Sequence, residues 1–170
     1  MLLTVMTLAL FIGLVISTTE LLTSNTVSAQ QNEFIVTSIS LAQSVIDEAK
    51  TKAFDNKTRV TGVTVPDSLT APGSLGRDGS GEAVPAVDTL TSQGYRSALV
   101  FNDVDDYKGY QRRVATRRAG NYNITATVAY GSSARPDSTV SVRTFCKLMR
   151  VTVTSPHTAS PVTLQYPFIY

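Results

Sequence analysis

The stretch that decides the fold is MLLTVMTLALFIGLVISTTELLTSNTVSAQQNEFIVTSISLAQSVIDEAKTKAF, from Met1 to Phe54. It contains no proline and a single glycine, Gly13, and these two residue types most readily stop a helix. We predict one long helix over 1–54, about 80 Å in length at about 1.5 Å per residue. A helix of that length needs packing partners to be stable.

The first part of this helix, 1–23, is predicted to be an apolar filament-core or membrane segment. Its apolar side chains, which we expect to form the core of an assembly, are Leu2, Leu3, Val5, Leu8, Leu10, Phe11, Ile12, Leu14, Val15 and Ile16. A helix that is apolar all round is a membrane span, a signal peptide or a helix buried among others. As a span it is slightly short, because about 17 residues cover roughly 26 Å of a bilayer core of about 30 Å.

A signal peptide has basic residues ahead of its apolar run, whereas the first basic residue here is Lys50. We therefore expect Met1 to be a processed N terminus from which a basic leader has been removed. We also expect the helix to loosen between Gly13 and Thr19, because glycine and hydroxyl side chains weaken a helix interior.

The second part of the helix is amphipathic. Apolar residues recur at spacings of three and four, which places them on one face: Ile35, Ile39, Ala42, Ile46, Ala49 and Ala53, with Leu41 and Val45 at the margin. We predict that this face packs on a globular domain and leaves the opposite face to solvent or to a neighbour.

Charge is sparse and unevenly distributed. The chain of 170 residues has a net charge of +2, so the composition does not indicate a nucleic-acid partner. Residues 1–49 carry four acids and no base, and all 15 lysines and arginines lie in the remainder. Opposite charge on the two parts would let copies attract one another, to a degree that salt reduces.

Residues 55–98 are rich in glycine and proline and are predicted to be a long surface loop between helix and sheet. Three glycines at 76, 79 and 81 do not make a phosphate loop, because no strand precedes them and no Gly-Lys-Ser or Gly-Lys-Thr follows. Nucleotide binding is therefore not expected.

One polar cluster has the composition of a metal site. Asn102, Asp103, Asp105 and Asp106 place four oxygen-bearing side chains in five positions, and such ligands suit calcium. The spacing is not that of an EF-hand, and an exposed acidic turn is the more common explanation of such a cluster. No other cofactor is expected, and no nucleophile–base pair indicates an enzyme.

Residues 99–170 are predicted to form an antiparallel sheet. Alternation over Tyr122–Tyr130 indicates one strand, 139–154 a long bent strand, and Val162–Tyr170 a final strand. Pro167 lacks an amide donor, which places the final strand at an edge or with unpaired amides. Cys146 is expected to be a small buried thiol, and His157 lies in a turn between prolines.

The segment RRVATRR carries arginines on both faces of a predicted edge strand or arm: Arg112, Arg113, Arg117 and Arg118. We expect all four at contacts between copies, because neither face of such a strand suits its own core. The proposed partners are acids of a neighbouring copy, among Asp47, Glu48 and the acidic cluster. A solvated basic edge is the alternative.

Taken together, an apolar helix continued by an amphipathic helix, a loop and antiparallel strands resembles the type IV pilins, including pseudopilins. SISLAQSVIDEAKTKAFDN resembles the helix half that lies on the sheet, and KLMRVTVTSP with PVTLQYPFIY resembles the closing strands. Most members carry a glutamate near the mature N terminus, where this chain has Val5, and a cysteine loop near the C terminus, where only Cys146 occurs.

The resemblance implies an α+β fold in which a long N-terminal helix packs on a C-terminal antiparallel sheet. It implies a non-enzymatic subunit of an extracellular helical filament, with copies of itself, the membrane before assembly and the pilus assembly machinery as partners. Two alternatives remain: a single-span envelope protein whose sheet domain binds a partner, and a minor pseudopilin of a secretion system.

Overall fold

The computed structural model of this chain describes residues 1–170, with the side chain of Ser80 excepted. Its first element is α1 (Leu2–Lys50), a continuous helix about 74 Å long. The helix ends before the predicted Phe54 because the backbone of Ala53 pairs with the segment 102–104. The Ala53 amide donates to the Asn102 carbonyl at 3.1 Å, and the Val104 amide donates to the Ala53 carbonyl at 3.0 Å.

The predicted loosening of α1 between Gly13 and Thr19 is wrong for the single chain. The hydroxyl of Thr18 donates to the Leu14 and Val15 carbonyls, and that of Thr19 to the Val15 and Ile16 carbonyls. These contacts add to the helix without interrupting it. Hydroxyl side chains in a helix bond back to the preceding turn, so their presence alone does not break it.

The rest of the chain forms a sheet of five strands in sequential order. The strands are β1 (Asp88–Thr89), β2 (Gln111–Thr116), β3 (Gly120–Tyr130), β4 (Cys146–Thr154) and β5 (Val162–Ile169). β1 runs parallel to β2, and every other neighbouring pair is antiparallel. The predicted α+β fold, a long N-terminal helix on an antiparallel sheet, is confirmed.

Alternation on β3 produces the expected two faces. Its inward residues, all buried, are Tyr122, Ile124, Ala126, Val128 and Tyr130. β5 lies at the edge of the sheet, which confirms the position expected from Pro167, since an edge strand needs fewer amide donors.

β4 begins at Cys146, and the prediction of a strand from 139 is wrong. Residues 139–145 make one isolated bridge, between Thr139 and Gly131, and then turn. The Thr144 hydroxyl donates to the Gly131 carbonyl at 2.7 Å and accepts from the Cys146 amide at 3.2 Å. This turn uses the polar groups that a continued strand would pair across the sheet.

The core lies between the second part of α1 and the sheet. The buried residues of α1 are Ser38, Ala42, Val45, Ile46 and Ala49. Ile35 and Ile39, which the stripe included, are 42% and 43% exposed, and Phe34 packs at the core margin instead. The predicted face is therefore confirmed at Ala42, Ile46 and Ala49, and it differs at its N-terminal end, where Phe34 meets His157 with ring centroids 5.0 Å apart.

Residues 55–98 are more ordered than the predicted surface loop. They contain α2 (Asn56–Val60) and 3-10 turns at Pro66–Ser68, Pro72–Ser74 and Ser80–Glu82, and α3 (Arg96–Val100) follows β1. Leu69 and Leu75 are buried in a small second cluster with Tyr130. The prediction missed these contacts because isolated leucines in a loop show no periodicity.

Candidate functional site

The first part of α1 projects from the domain without any cover from it. Every residue of 1–33 is exposed, and Leu2, Leu10 and Phe11 are 81%, 76% and 63% exposed. The remaining members of the predicted assembly core, also exposed, are Leu3, Val5, Leu8, Ile12, Leu14, Val15 and Ile16. Contiguous exposed apolar surface of this extent marks an interaction site for protein or lipid.

Among the described residues, α1 is the helix long and apolar enough to cross a membrane. None of its most apolar window is buried in the domain. An N-terminal signal sequence meets the same criteria of length and composition, so these properties are compatible with a membrane anchor or a signal and do not give the final location of the chain.

The acidic cluster 102–106 is buried, so it is not the exposed turn that its composition suggested. Asp103 accepts the Asp105 amide at 2.8 Å and the Asp106 amide at 3.3 Å. Asp106 accepts the Asn102 amide at 2.8 Å, and the Asn102 side-chain amide donates to Glu82. These contacts fold the 3-10 turn Asp105–Tyr107 onto the end of α1.

This arrangement does not support the predicted calcium site. Within the described part of the chain, no group of three or more acidic, histidine or cysteine side chains is placed to hold a metal ion. A lysine, Lys147, lies against Asp105 at 2.5 Å instead. The cation beside this cluster is therefore an ammonium group, and no pattern in the sequence indicates that a residue 42 positions after Asp105 supplies it.

Burial changes the acidity of the cluster. It raises the pKa of Asp103 to about 8, with Asp105 and Asp106 adding to the effect. It raises the pKa of Asp105 to about 6 against the opposing effect of Lys147, and that of Asp106 to about 6 against two backbone hydrogen bonds. Three neighbouring buried carboxyls cannot all be charged without large repulsion.

Arg112 is buried, and the prediction that it contacts another copy is wrong. It points inward from β2, is 3% exposed and pairs with Glu48 of α1 at 2.5 Å. Its guanidinium also donates to Ser97 and Tyr110, each at 2.8 Å, and lies over the ring of Tyr95. A buried arginine is tolerated when its donors are satisfied in this way.

The polar network around Arg112 joins α1, β1, α3 and β2. Asp88 accepts the Ser97 amide at 3.0 Å and the Tyr110 hydroxyl at 2.8 Å, and Tyr107 donates to Glu48 at 2.8 Å. Burial raises the pKa of Tyr110 above its ordinary value. The residues of this network are dispersed in the sequence. The signal for an inward Arg112 is its spacing of two from Val114, which places both on one face of β2.

The other three arginines lie on the surface. Arg118 pairs with Glu33 of the same chain at 2.8 Å, and Arg113 donates to Asn123 at 3.2 Å across β3. Arg117 is exposed in the turn after β2. The acids suggested as partners are engaged within the chain, since Asp47 pairs with Lys50 and Glu48 with Arg112. Contact between copies stays a prediction for Arg113, Arg117 and Arg118.

No protein-family model, curated protein or solved structure matches this chain. The architecture itself, a long apolar N-terminal helix packed on an antiparallel sheet, is compatible with that of pilins. The exposed first part of α1 is therefore the candidate functional surface. The polar clusters around Arg112 and Lys147 are buried inside the domain and join its elements.

Proposed function

We propose that this chain is a structural subunit of an extracellular helical filament of the type IV pilus kind. In this proposal the apolar segments 1–23 of many copies bundle into a core, and the sheet domains form the outer layer. The observation that carries it is the division of α1: the second part is buried on its own sheet, whereas the apolar part is wholly exposed.

The energetics support association through this segment. Removing apolar surface from water stabilises by about 25 cal/mol per Å². From lipid the gain is far smaller, because acyl chains are as apolar as neighbouring helices. A subunit held in a membrane before assembly therefore needs an assembly machinery that does work to extract it. Contacts that repeat without closing a ring then build a helical fibre.

The first alternative is a single-span envelope protein whose sheet domain binds a partner, and it rests on the same exposed helix. A minor pseudopilin of a secretion system is the second alternative. Abundance separates a pseudopilin from a main subunit, and the presence of fibres separates both from a simple anchor.

The test is immunogold electron microscopy of intact cells that make the protein, with an antibody raised against residues 99–170. We expect gold along fibres at regular intervals. Label confined to the cell envelope, with no fibre decorated, would contradict the proposal and favour the single-span protein. Label that is sparse and irregular along the fibres would favour the minor pseudopilin. Cells in which the gene is deleted are the control.

A further inference from the structure

Lys147 is buried between two carboxyl groups. Its side chain is fully buried at the start of β4, and its Nζ atom is 2.9 Å from Asp55 Oδ2 and 2.5 Å from Asp105 Oδ1. The Phe54 carbonyl accepts from the same nitrogen at 2.8 Å. The rings of Phe54 and Tyr130 flank it, with centroids 4.6 and 5.6 Å away.

The two carboxyl groups, of Asp55 and Asp105, differ in the hydrogen bonds that they accept. Asp55 accepts the Lys57 amide, the Thr70 amide and the Thr70 hydroxyl, each at 3.0 Å, in addition to Lys147. Among the described residues, neither oxygen of Asp105 accepts a hydrogen bond, although the residue is 1% exposed. The lysine nitrogen approaches Asp105 closely without the angles of a hydrogen bond.

This asymmetry assigns different protonation states. Burial would raise the pKa of Asp55, but Lys147 together with the amides of Lys57 and Thr70 outweighs it and holds that pKa below the ordinary value, so that Asp55 stays a carboxylate. Burial raises the pKa of Asp105 to about 6. One ammonium cannot neutralise two carboxylates, and the one without hydrogen-bond donors takes up a proton more readily. The neutral acid is also the form that an amine can attack.

We propose that Lys147 and Asp105 join covalently, through an amide bond between the lysine Nζ and the aspartate Cγ, with Asp55 carrying the proton. This is an internal cross-link of the sheet domain. It is independent of the proposed filament function, since all three residues lie outside the apolar segment.

The reaction balances without any further reactant. Asp55 accepts a proton from the Lys147 ammonium, and the lone pair that this frees attacks Cγ of the neutral Asp105 carboxyl. In the tetrahedral intermediate, Asp55 returns that proton to the departing hydroxyl oxygen, and the C–O bond breaks with its electron pair on oxygen. The nitrogen loses its second proton to Asp55, which passes it to solvent. Asp105, protonated at the start, has taken that proton from solvent, so the net change is one ammonium and one carboxylate converted to one amide and one water.

Two features of the pocket favour the bond. Burying a charged pair carries a desolvation cost for each ion, and formation of a neutral amide removes both charges. Holding the reactants in contact replaces a bimolecular step by an intramolecular one, which accelerates well-oriented reactions greatly. A base within hydrogen-bond reach of the nitrogen, here Asp55 at 2.9 Å, is the remaining requirement.

The test is mass spectrometry of the full chain, purified in detergent and then denatured. We expect an intact mass lower than that of the uncross-linked chain by one water molecule. Trypsin does not cleave after an acylated lysine, so the digest should contain peptide 97–108 joined to peptide 144–150 as one branched species. Fragmentation of that species should place the branch at Asp105 and not at Asp103 or Asp106.

Variants separate the chemistry from folding. Asp105→Asn should form the same amide with loss of ammonia, whereas Asp105→Ala should give no branched species and only the linear peptides 97–108, 144–147 and 148–150. Asp55→Asn should slow cross-linking at least tenfold, because it removes the proton carrier and keeps the size of the side chain. Asp106→Asn is the matched control next to the site and should cross-link like the wild type.

The tryptic peptides of the wild-type chain are sufficient to test the proposal. Wild-type protein that retains its near-ultraviolet circular dichroism but yields only the linear peptides 97–108, 144–147 and 148–150 would show a buried ion pair only, and would overturn the proposal. A branch joining 144–150 to 53–57 would assign the bond to Asp55 and overturn the assignment to Asp105. A water lost with the peptides still separate would indicate a cyclic imide at an aspartate, which also overturns it.

Discussion

Arg112 and Arg113 are neighbours on β2, and the pleat of the strand sends them to different surroundings. Arg112 points to the core and pairs with Glu48, whereas Arg113 points outward and reaches only Asn123. Removing one member of a buried ion pair leaves the other charge without compensation. Removing an exposed side chain usually changes the free energy of unfolding little.

Arg112→Met should therefore lower the free energy of unfolding by about 3 kcal/mol, while Arg113→Met should change it by less than about 0.5 kcal/mol. The measurement is urea unfolding of the detergent-solubilised chain, followed by near-ultraviolet circular dichroism of its tyrosines. Equal losses for the two variants would contradict the buried position of Arg112.

Asp103 makes stability depend on pH. Burial raises its pKa to about 8, so the folded chain holds a proton there that the unfolded chain releases at lower pH. The stability that this proton confers is complete below the ordinary aspartate pKa of about 4 and is lost as pH rises through about 8. For this one group, the free energy of unfolding falls by at most about 1.4 kcal/mol per pH unit.

We expect the free energy of unfolding to fall between about pH 5 and pH 8, and Asp103→Asn to flatten this fall. Asparagine keeps an oxygen that can accept the amides of Asp105 and Asp106, so the turn should survive. Asp67→Asn, on the exposed turn Pro66–Ser68, is the control and should leave the fall unchanged. The same fall in the Asp103 variant as in the wild type would show that other groups cause it.

At the scale of elements, the junction of β3 and β4 depends on one close approach. A methyl group at Gly131 would lie 2.8 Å from the Cys146 sulfur, closer than such atoms pack. Position 131, where the chain leaves β3, therefore requires glycine. The turn that contains Thr144 packs against this position, since the Thr144 hydroxyl donates to the Gly131 carbonyl. Sequence patterns cannot show this, since the two residues meet only across the turn.

Gly131→Ala should lower the free energy of unfolding by about 1–3 kcal/mol, the usual range for overpacking. In a Cys146→Ala background the same substitution should cost much less, because the sulfur that the new methyl meets is absent. A double-mutant cycle by urea unfolding measures the coupling. Additive effects of the two substitutions would show that the strain lies in the backbone and not in this contact.

For the whole molecule, folding and assembly should use different parts of the chain. Leu10 is 76% exposed and touches nothing in the domain, so Leu10→Lys should leave the free energy of unfolding within about 0.5 kcal/mol of the wild type. The same charge should abolish fibres, because an apolar helix bundle offers no partner for a buried ammonium.

The measurement is the yield of fibres sedimented from cells and counted by electron microscopy. Val142→Lys, at an exposed position of the sheet domain, is the matched control and should assemble normally. Wild-type fibre yield from the Leu10 variant would exclude this segment from a fibre core.

The sequence alone determined the long helix, the apolar character of its first part and the alternation of β3, and it limited β5 to an edge or to a place with unpaired amides. These follow from local properties: the absence of helix breakers, the period of apolar residues and the missing amide of Pro167. It did not determine where polar residues lie. The acids of 102–106 and Arg112 have the composition of surface residues, but the tertiary structure buries them. Lys147 supplies the opposite charge to Asp105 and Glu48 supplies it to Arg112, whereas Asp103 and Asp106 accept backbone amides. Whether a charged side chain can be buried depends on its partner, and distant residues become partners only once the chain has folded.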